Sequence, residues 1–273
     1  VQTITLFSPA KINLFFRVLN KRPDGYHNIA SLIQAIDFGD TLSLSLQEDV
    51  DSFLSNESTL AFDERNLIYK AVALFKQKTH LSFHLNIHLD KKIPMQAGLG
   101  GGSGNAATTL YALNQLLHTQ LSDETLAEWG SLLGADVPCF FSSGRVFCEG
   151  IGEKLTSLSS AKESYWIAKP LSLHLATPAV YAQCQPYPTP LASPHIEILS
   201  RNDLEEAAFS LLPTLKTFKE ECLALGFNKV MMTGSGTAFI CMGGEVTSPT
   251  LPNTQFIKAQ SITRQAGEWY QHP

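Results

Sequence analysis

Pro94-Met95-Gln96-Ala97-Gly98-Leu99-Gly100-Gly101-Gly102-Ser103-Gly104-Asn105-Ala106-Ala107 is the stretch whose residue types and spacing most directly propose chemistry. Its glycines and single serine lie between an extended segment, Leu85-Asn86-Ile87-His88-Leu89, and a helical one over 105–117. Glycine lets the backbone take φ > 0 and bring its N–H groups against a ligand with no Cβ in between. A helix opening at the end of such a loop adds unpaired N–H groups and a positive dipole end, so the junction suits a phosphate. A flexible surface loop is the plainer reading, and the immediate run into a small-residue helix start weighs against it. The stretch is not a Walker loop, because no lysine follows the glycines. A dinucleotide fingerprint would put its last glycine on Ser103 and its acidic partner near Asp123, at the start of another helix. A third kind of nucleotide loop remains.

Three further segments carry groups able to act with it. In Ser8-Pro9-Ala10-Lys11-Ile12-Asn13-Leu14, Lys11 and Asn13 share one face of a strand; read alone, Lys11 is a solvated edge residue. Lys21-Arg22-Pro23-Asp24-Gly25-Tyr26-His27 contains a turn in which proline presets φ and glycine supplies φ > 0. Tyr26 and His27 behind it are either core residues or an aromatic and an imidazole facing a ring-shaped ligand. In Gly134-Ala135-Asp136-Val137-Pro138-Cys139-Phe140-Phe141, Asp136 is the carboxylate of an apolar stretch after a helix end. Burial would raise its pKa and a nearby lysine would lower it; the plain alternative is a turn aspartate bonding local backbone.

The elements that must position these groups are legible from periodicity. Alternation predicts strands over 1–7, 12–19, 31–38, 41–46 and 83–89, and a helical stripe of Leu67, Ala71, Leu74 and Phe75 begins after Arg65-Asn66. Ser122 is an N-cap with Asp123 and Glu124 in the first turn, and Gly134 a stop after Leu133. Strands are expected again over 144–149 and 165–175, and an irregular loop over 184–194, which carries four prolines. Helices follow over 203–211 and 214–225, then strands 229–232 and 238–242 around Thr233-Gly234-Ser235-Gly236-Thr237. The last 30 residues read equally as helix or strand. A Ser/Gly-rich break over 150–160 divides the chain into 1–153 and 154–273.

Bulk properties narrow the class. The 273 residues, 44% hydrophobic and 16% charged, suit one large or two modest globular domains. A net charge of −5 speaks against a nucleic-acid surface. No apolar run approaches the roughly 18 to 20 residues of a membrane span, and residues 1–8 lack the layout of a signal peptide, so a cytoplasmic protein is expected. The five cysteines are scattered with no Cys-x-x-Cys pair, which indicates neither a zinc site nor a disulfide framework. No dedicated metal ligands are predicted. A Mg²⁺ ion arriving with a nucleotide would leave little trace in a sequence.

Taken in order, Pro-Ala-Lys-Ile-Asn-Leu, Arg-Pro-Asp-Gly-Tyr-His, Pro-Met-x-x-Gly-Leu-Gly-Gly-Gly-Ser, Gly-Ala-Asp-Val-Pro and Thr-Gly-Ser-Gly-Thr-Ala-Phe run from Pro9 to Phe239. This set resembles the GHMP kinase superfamily. Within it, Lys11-Ile12-Asn13 followed by Asp24-Gly25-Tyr26-His27 resembles the branch that phosphorylates the 2-hydroxyl of 4-diphosphocytidyl-2-C-methyl-D-erythritol in non-mevalonate (MEP) isoprenoid biosynthesis. The resemblance implies an α+β fold of two domains, one like domain 2 of ribosomal protein S5 and a ferredoxin-like C-terminal one. It implies ATP with Mg²⁺, the phosphates wrapped by Pro94 to Gly104 and the adenine near Asn66 and Leu67. Asp136 would take the proton of the attacking hydroxyl, with Lys11 paired to it. Asn13 would hold the erythritol, Tyr26 and Tyr181 would flank the cytosine, and His27 would bond its edge. Thr177, Gly234, Ser235 and Gly236 would complete the substrate side. Gln96-Ala97 stands where the pattern often has Gly-Gly, and Gly104 where a second serine is common. A kinase of another small alcohol, or a non-catalytic metabolite-binding relative, is the alternative; monomer and homodimer are both open.

Overall fold

Apolar-polar alternation extends through two unusually long strands, and these carry the architecture. A computed structural model describes residues 2–186 and 201–271. In it β1 (Thr3–Lys21) pairs antiparallel with β2 (His27–Gln47) along its whole length. The sequence suggests four shorter strands here because Ser8-Pro9 and Gly39-Asp40 read as breaks. Both fall at one register shift: Pro9 faces Gly39 and Ala10 faces Ile36, so β2 inserts two residues. A proline, lacking an N–H, is tolerated at such a bulge. The inserted Asp37 accepts a hydrogen bond from the Gln260 N–H at 2.6 Å, so the irregularity ties β2 to the far end of the chain.

On its other edge β2 pairs with β4 (His84–Asp90) over 41–47 and with β5 (Arg145–Gly150) over 29–34. The short β3 (Ser52–Ser55), which periodicity missed, adds a parallel edge to β4, and β6 (Lys154–Ser157) adds an antiparallel edge to β5. Three helices pack on this sheet. Helix α1 (Leu67–Thr79) is capped by Asn66, whose side chain accepts from the Ile68 N–H, and α3 (Asp123–Ser131) by Ser122, whose side chain accepts from the Thr125 N–H. Between them, α2 (Gly101–Leu116) begins four residues earlier than expected. Its glycines, which signal a loop, are the first turn, with Gly104 N–H donating to the Gly100 carbonyl at 2.8 Å. Small residues are needed there because the helix lies against β1.

The second sheet has the order β10-β7-β9-β8, all antiparallel: β7 (Ser164–Pro170), β8 (Lys229–Met232), β9 (Phe239–Met242) and β10 (Thr254–Gln260). The strand β10 resolves the ambiguity of the last 30 residues. Helices α4 (Thr177–Gln183), α5 (Leu204–Leu211) and α6 (Thr214–Ala224) accompany this sheet. The expected strand over 165–175 stops at Pro170, and α4 was not anticipated. The expected proline-rich loop lies, from residue 187 onward, outside the described residues.

Ile12, Leu32 and Ile36 of the first sheet bury against Ile167, Met231 and Ile240 of the second. Each such side chain contributes about 2 kcal/mol on leaving water, so the seam is core packing rather than a polar contact. The division expected at 153/154 cuts between β5 and its partner β6. The chain also returns at its end: Trp269 Nε1–H donates to the Phe7 carbonyl at 2.8 Å and its ring stacks on Tyr111 at 4.7 Å. No helix among the described residues is long and apolar enough to cross a membrane.

Candidate active site

A cavity of about 880 Å³ opens where the glycine stretch, the start of α2, the turn after β1, and α4 converge. Its size is that of a site for a whole small molecule rather than an ion. One wall is Pro94 to Ser103, with Asn66 and Leu67 beside it. Gly98 and Gly100 have φ of +77° and +68°, a region costly for other residues. A Cβ at Gly100 would come within 2.7 Å of the Lys11 side chain, and one at Gly98 within 2.1 Å of the Thr233 carbonyl. Gln96 takes φ +54° without being glycine, so the departure noted in the sequence sits in a left-handed conformation that suits the more usual residue. The loop fits a phosphate chain: its backbone is bare, and it leads into the unpaired N–H groups of α2.

Lys11 and Asp136 meet at the foot of this wall. Lys11 Nζ lies 3.3 Å from Asp136 Oδ2 and donates to Asn13 Oδ1 at 2.7 Å. Asn13 in turn donates to Ser31 Oγ at 2.8 Å, and its N–H donates to Thr233 Oγ1 at 3.0 Å. Lys11 is thereby fixed on both sides. Its N–H donates to the Leu99 carbonyl at 2.9 Å, which stitches the strand to the glycine loop. Asp136 is presented by the turn after α3, where the Cys139 thiol donates to its carbonyl at 2.9 Å. Burial pushes the Cys139 and Cys148 thiols well up, so both act as apolar packing. Among the described residues no cluster of three or more His, Cys, Asp or Glu side chains is placed to hold a metal ion.

The opposite end holds rings. His27 and Tyr181 lie 5.5 Å apart, inclined by 32°. Tyr26 is 63% exposed, poised at the rim. Burial, and next the charge of Lys21, lower the His27 pKa, which favours a neutral imidazole able to donate and accept. Thr177 and Ser235 join their hydroxyls at 2.8 Å across the mouth of the second-sheet side, and Gly234 lines the cavity beside them.

Not every expected residue faces the cavity. Asn13 acts from behind Lys11. Gly236 packs beneath the glycine loop, where a Cβ would meet Gly98 N at 2.1 Å. Gly104 turns toward β1, a Cβ there meeting the Pro9 carbonyl at 2.7 Å. A serine at 104 would thus strike backbone before reaching a ligand. Sequence reasoning missed Lys21, Arg65, Lys91 and Ile151 on the walls. Lys91 is committed to Asp40 at 2.8 Å, a pairing that only β2–β4 register brings about.

Residues 66–144 match the GHMP kinases N terminal domain. A Protochlamydia amoebophila protein named 4-diphosphocytidyl-2-C-methyl-D-erythritol kinase is 44% identical over 98% of this chain and 93% of its own. The chloroplastic enzyme of that name from Mentha piperita is 38% identical over 100% of this chain and 73% of its own. A crystal structure of 4-(cytidine 5'-diphospho)-2C-methyl-D-erythritol kinase superposes with a TM-score of 0.77 at 29% identity, covering 95% of this chain and 99% of that one. The two-sheet α+β arrangement is thus the GHMP kinase fold.

Proposed function

Because the chain belongs to the 4-diphosphocytidyl-2-C-methyl-D-erythritol kinase family of GHMP kinases, we propose that its cavity is built to transfer the γ-phosphate of ATP to the 2-hydroxyl of that cytidylyl alcohol, with the residues in the following roles. The protein is an ATP-dependent small-molecule kinase of isoprenoid precursor synthesis. Phosphoryl transfer asks a protein chiefly for alignment and for donors aimed at developing charge. Backbone N–H groups from Gly98 to Ser103 would hold the nucleotide phosphates, and Asn66 and Leu67 would border the adenine. Mg²⁺ carried with the nucleotide would neutralise phosphate charge.

The observation that carries this reading is the Lys11–Asp136 pair, set between the glycine loop and the ring-lined end. Asp136, its carboxylate open to the cavity, would accept the proton of the 2-hydroxyl as the oxygen attacks. Lys11 would hold that carboxylate in place and face the charge shared with the phosphate. Tyr26 and Tyr181 would sandwich the cytosine while His27 bonds its edge; Thr177, Gly234 and Ser235 would line the path between base and alcohol. Asn13, Gly104 and Gly236 would support these groups from behind. We place the boundary between the two domains within 158–163, with the segment from 262 to 271 returned to the first. A cytoplasmic site of action fits the composition.

A coupled ADP-release assay tests the whole reading. With Mg²⁺-ATP, turnover is expected with 4-diphosphocytidyl-2-C-methyl-D-erythritol and not with mevalonate, homoserine or galactose. Turnover with one of those alcohols instead would overturn the assignment of the rings.

A further inference from the structure

Lys169 is buried at the end of β7, 2% exposed, and plays no part in the chemistry described above. Its ammonium donates to three oxygens: Thr237 Oγ1 at 2.6 Å, the Leu173 carbonyl at 2.9 Å and the Pro170 carbonyl at 2.9 Å. Thr237, fully buried, donates in turn to the same Leu173 carbonyl at 3.0 Å. An ammonium has three donors, so all of them are used. Burying a cation is costly, and among the described residues no carboxylate pairs with it; burial lowers its pKa to about 8. An apolar side chain would fill the space without that penalty.

What distinguishes the position is what it joins. Leu173 belongs to the segment after β7 that leads into α4, the helix carrying Thr177 and Tyr181. Thr237 closes the loop carrying Gly234 and Ser235, whose two ends are bonded through Thr233 N–H and the Ala238 carbonyl at 3.0 Å. The two segments touch again at the cavity through Thr177 and Ser235. One ammonium thus ties, from below, both backbone segments that form the second-sheet side of the site.

We propose that Lys169 is a positioning residue for the cytidylyl substrate, setting the spacing between the 171–176 segment with α4 and the 233–237 loop. The proposal rests on the kinase reading for its substrate, and its tether is independent of that reading. Lys169→Met is expected to raise the KM for 4-diphosphocytidyl-2-C-methyl-D-erythritol about tenfold, the scale of one lost charge-assisted hydrogen bond. ATP affinity, measured by direct titration, is expected to fall less than the KM rises, because the lost bonds reach the nucleotide wall only through the 233–237 loop, whose Gly236 packs on Gly98 and whose neighbour Ala238 donates its N–H to the Ala97 carbonyl. Amide hydrogen exchange is expected to quicken most in peptides covering 171–183 and 233–237 and less in 94–104. Thr237→Val removes one hydroxyl, the acceptor for Lys169 and a donor to the Leu173 carbonyl, keeps the lysine with its two carbonyl bonds, and should shift KM and exchange in the same direction by less, which covers the case of a poorly folding Lys169→Met. Unchanged exchange in both segments would overturn the tether whatever the substrate proves to be. A loss of ATP affinity equal to the rise in KM would overturn its selectivity for the substrate side. Absence of turnover by the wild-type enzyme would count against the kinase reading alone, and the exchange result would still decide the tether.

Discussion

The ammonium of Lys11 stands 3.3 Å from the carboxylate of Asp136, and the two see different surroundings: the lysine side chain is 4% exposed and the aspartate 41%. The cation is embedded in β1 and anchored to Asn13, whereas the anion projects from a turn into the cavity. A partner fixed by the sheet thus aims a carboxylate that the substrate can still reach. That asymmetry suits a proton acceptor better than a structural ion pair, in which both groups are commonly satisfied by the protein.

Replacing Asp136 by Asn keeps shape and removes the proton acceptor. We expect kcat to fall by about 10²- to 10⁴-fold, the usual contribution of a positioned base, with ATP binding nearly intact. Steady-state kinetics beside nucleotide titration check it; a wild-type kcat would remove Asp136 from the chemistry.

Tyr181→Ala and Tyr26→Ala address the ring-lined end. Stacking of a base on an aromatic side chain contributes about 1 to 3 kcal/mol, so each variant should raise the KM for the cytidylyl substrate about 5- to 150-fold. The KM for ATP should not follow. Equal changes in both constants would show that the rings hold the fold rather than the base.

Gly236→Ala tests the contact between the two loops. The added methyl would lie 2.1 Å from Gly98 N and 2.2 Å from the Ala97 carbonyl carbon, and both are backbone atoms that cannot rotate away. Overpacking of this kind costs about 1 to 3 kcal/mol. Because the strain falls on the glycine loop, thermal stability and ATP affinity should drop together. An unaltered ATP affinity would mean that the two loops are not mechanically joined.

The buried Lys169 makes stability depend on pH in a definite direction. Its pKa is about 8 in the folded protein against an ordinary 10.5. Between these values the unfolded chain binds more protons, so this group adds stability as pH rises from 8 to 10.5. Urea midpoints on either side of the folded-state pKa, at about pH 7.5 and about pH 10, should show the wild type gaining on Lys169→Met. A gap that stays constant would contradict the lowered pKa.

The local elements were readable where one residue type has one use. Asn66 and Ser122 announce the starts of α1 and α3 through their capping bonds. Phe83, Leu85, Ile87 and Leu89 mark β4 by simple alternation. Reading failed where a residue has two uses. Gly101 to Gly104 look like loop yet form the first turn of α2, because a helix pressed against Pro9 has no room for side chains. Ser8-Pro9 and Gly39-Asp40 look like strand breaks yet sit at one bulge of a continuous pair. β3, β6 and α4 were too short to show a period.

By itself the sequence determined the candidate segments: a glycine loop suited to a phosphate and, through five motifs in the order seen in GHMP kinases, a lysine, an aspartate and a set of rings. The loop follows from residue type and near neighbours, which short-range sterics and hydrogen bonding govern; the other three follow from the resemblance, because read alone each also fits a plain structural role. The tertiary structure alone decided which of them meet. Packing of α2, α3 and the turn after it into the first-sheet core brings Asp136 to Lys11, and the apolar seam between the sheets brings Gly236 beneath Gly98 and Tyr181 to His27. They also set Lys169 under two loops at once. Such meetings depend on how buried surfaces fit over the whole chain, and no window of neighbouring residues contains that information.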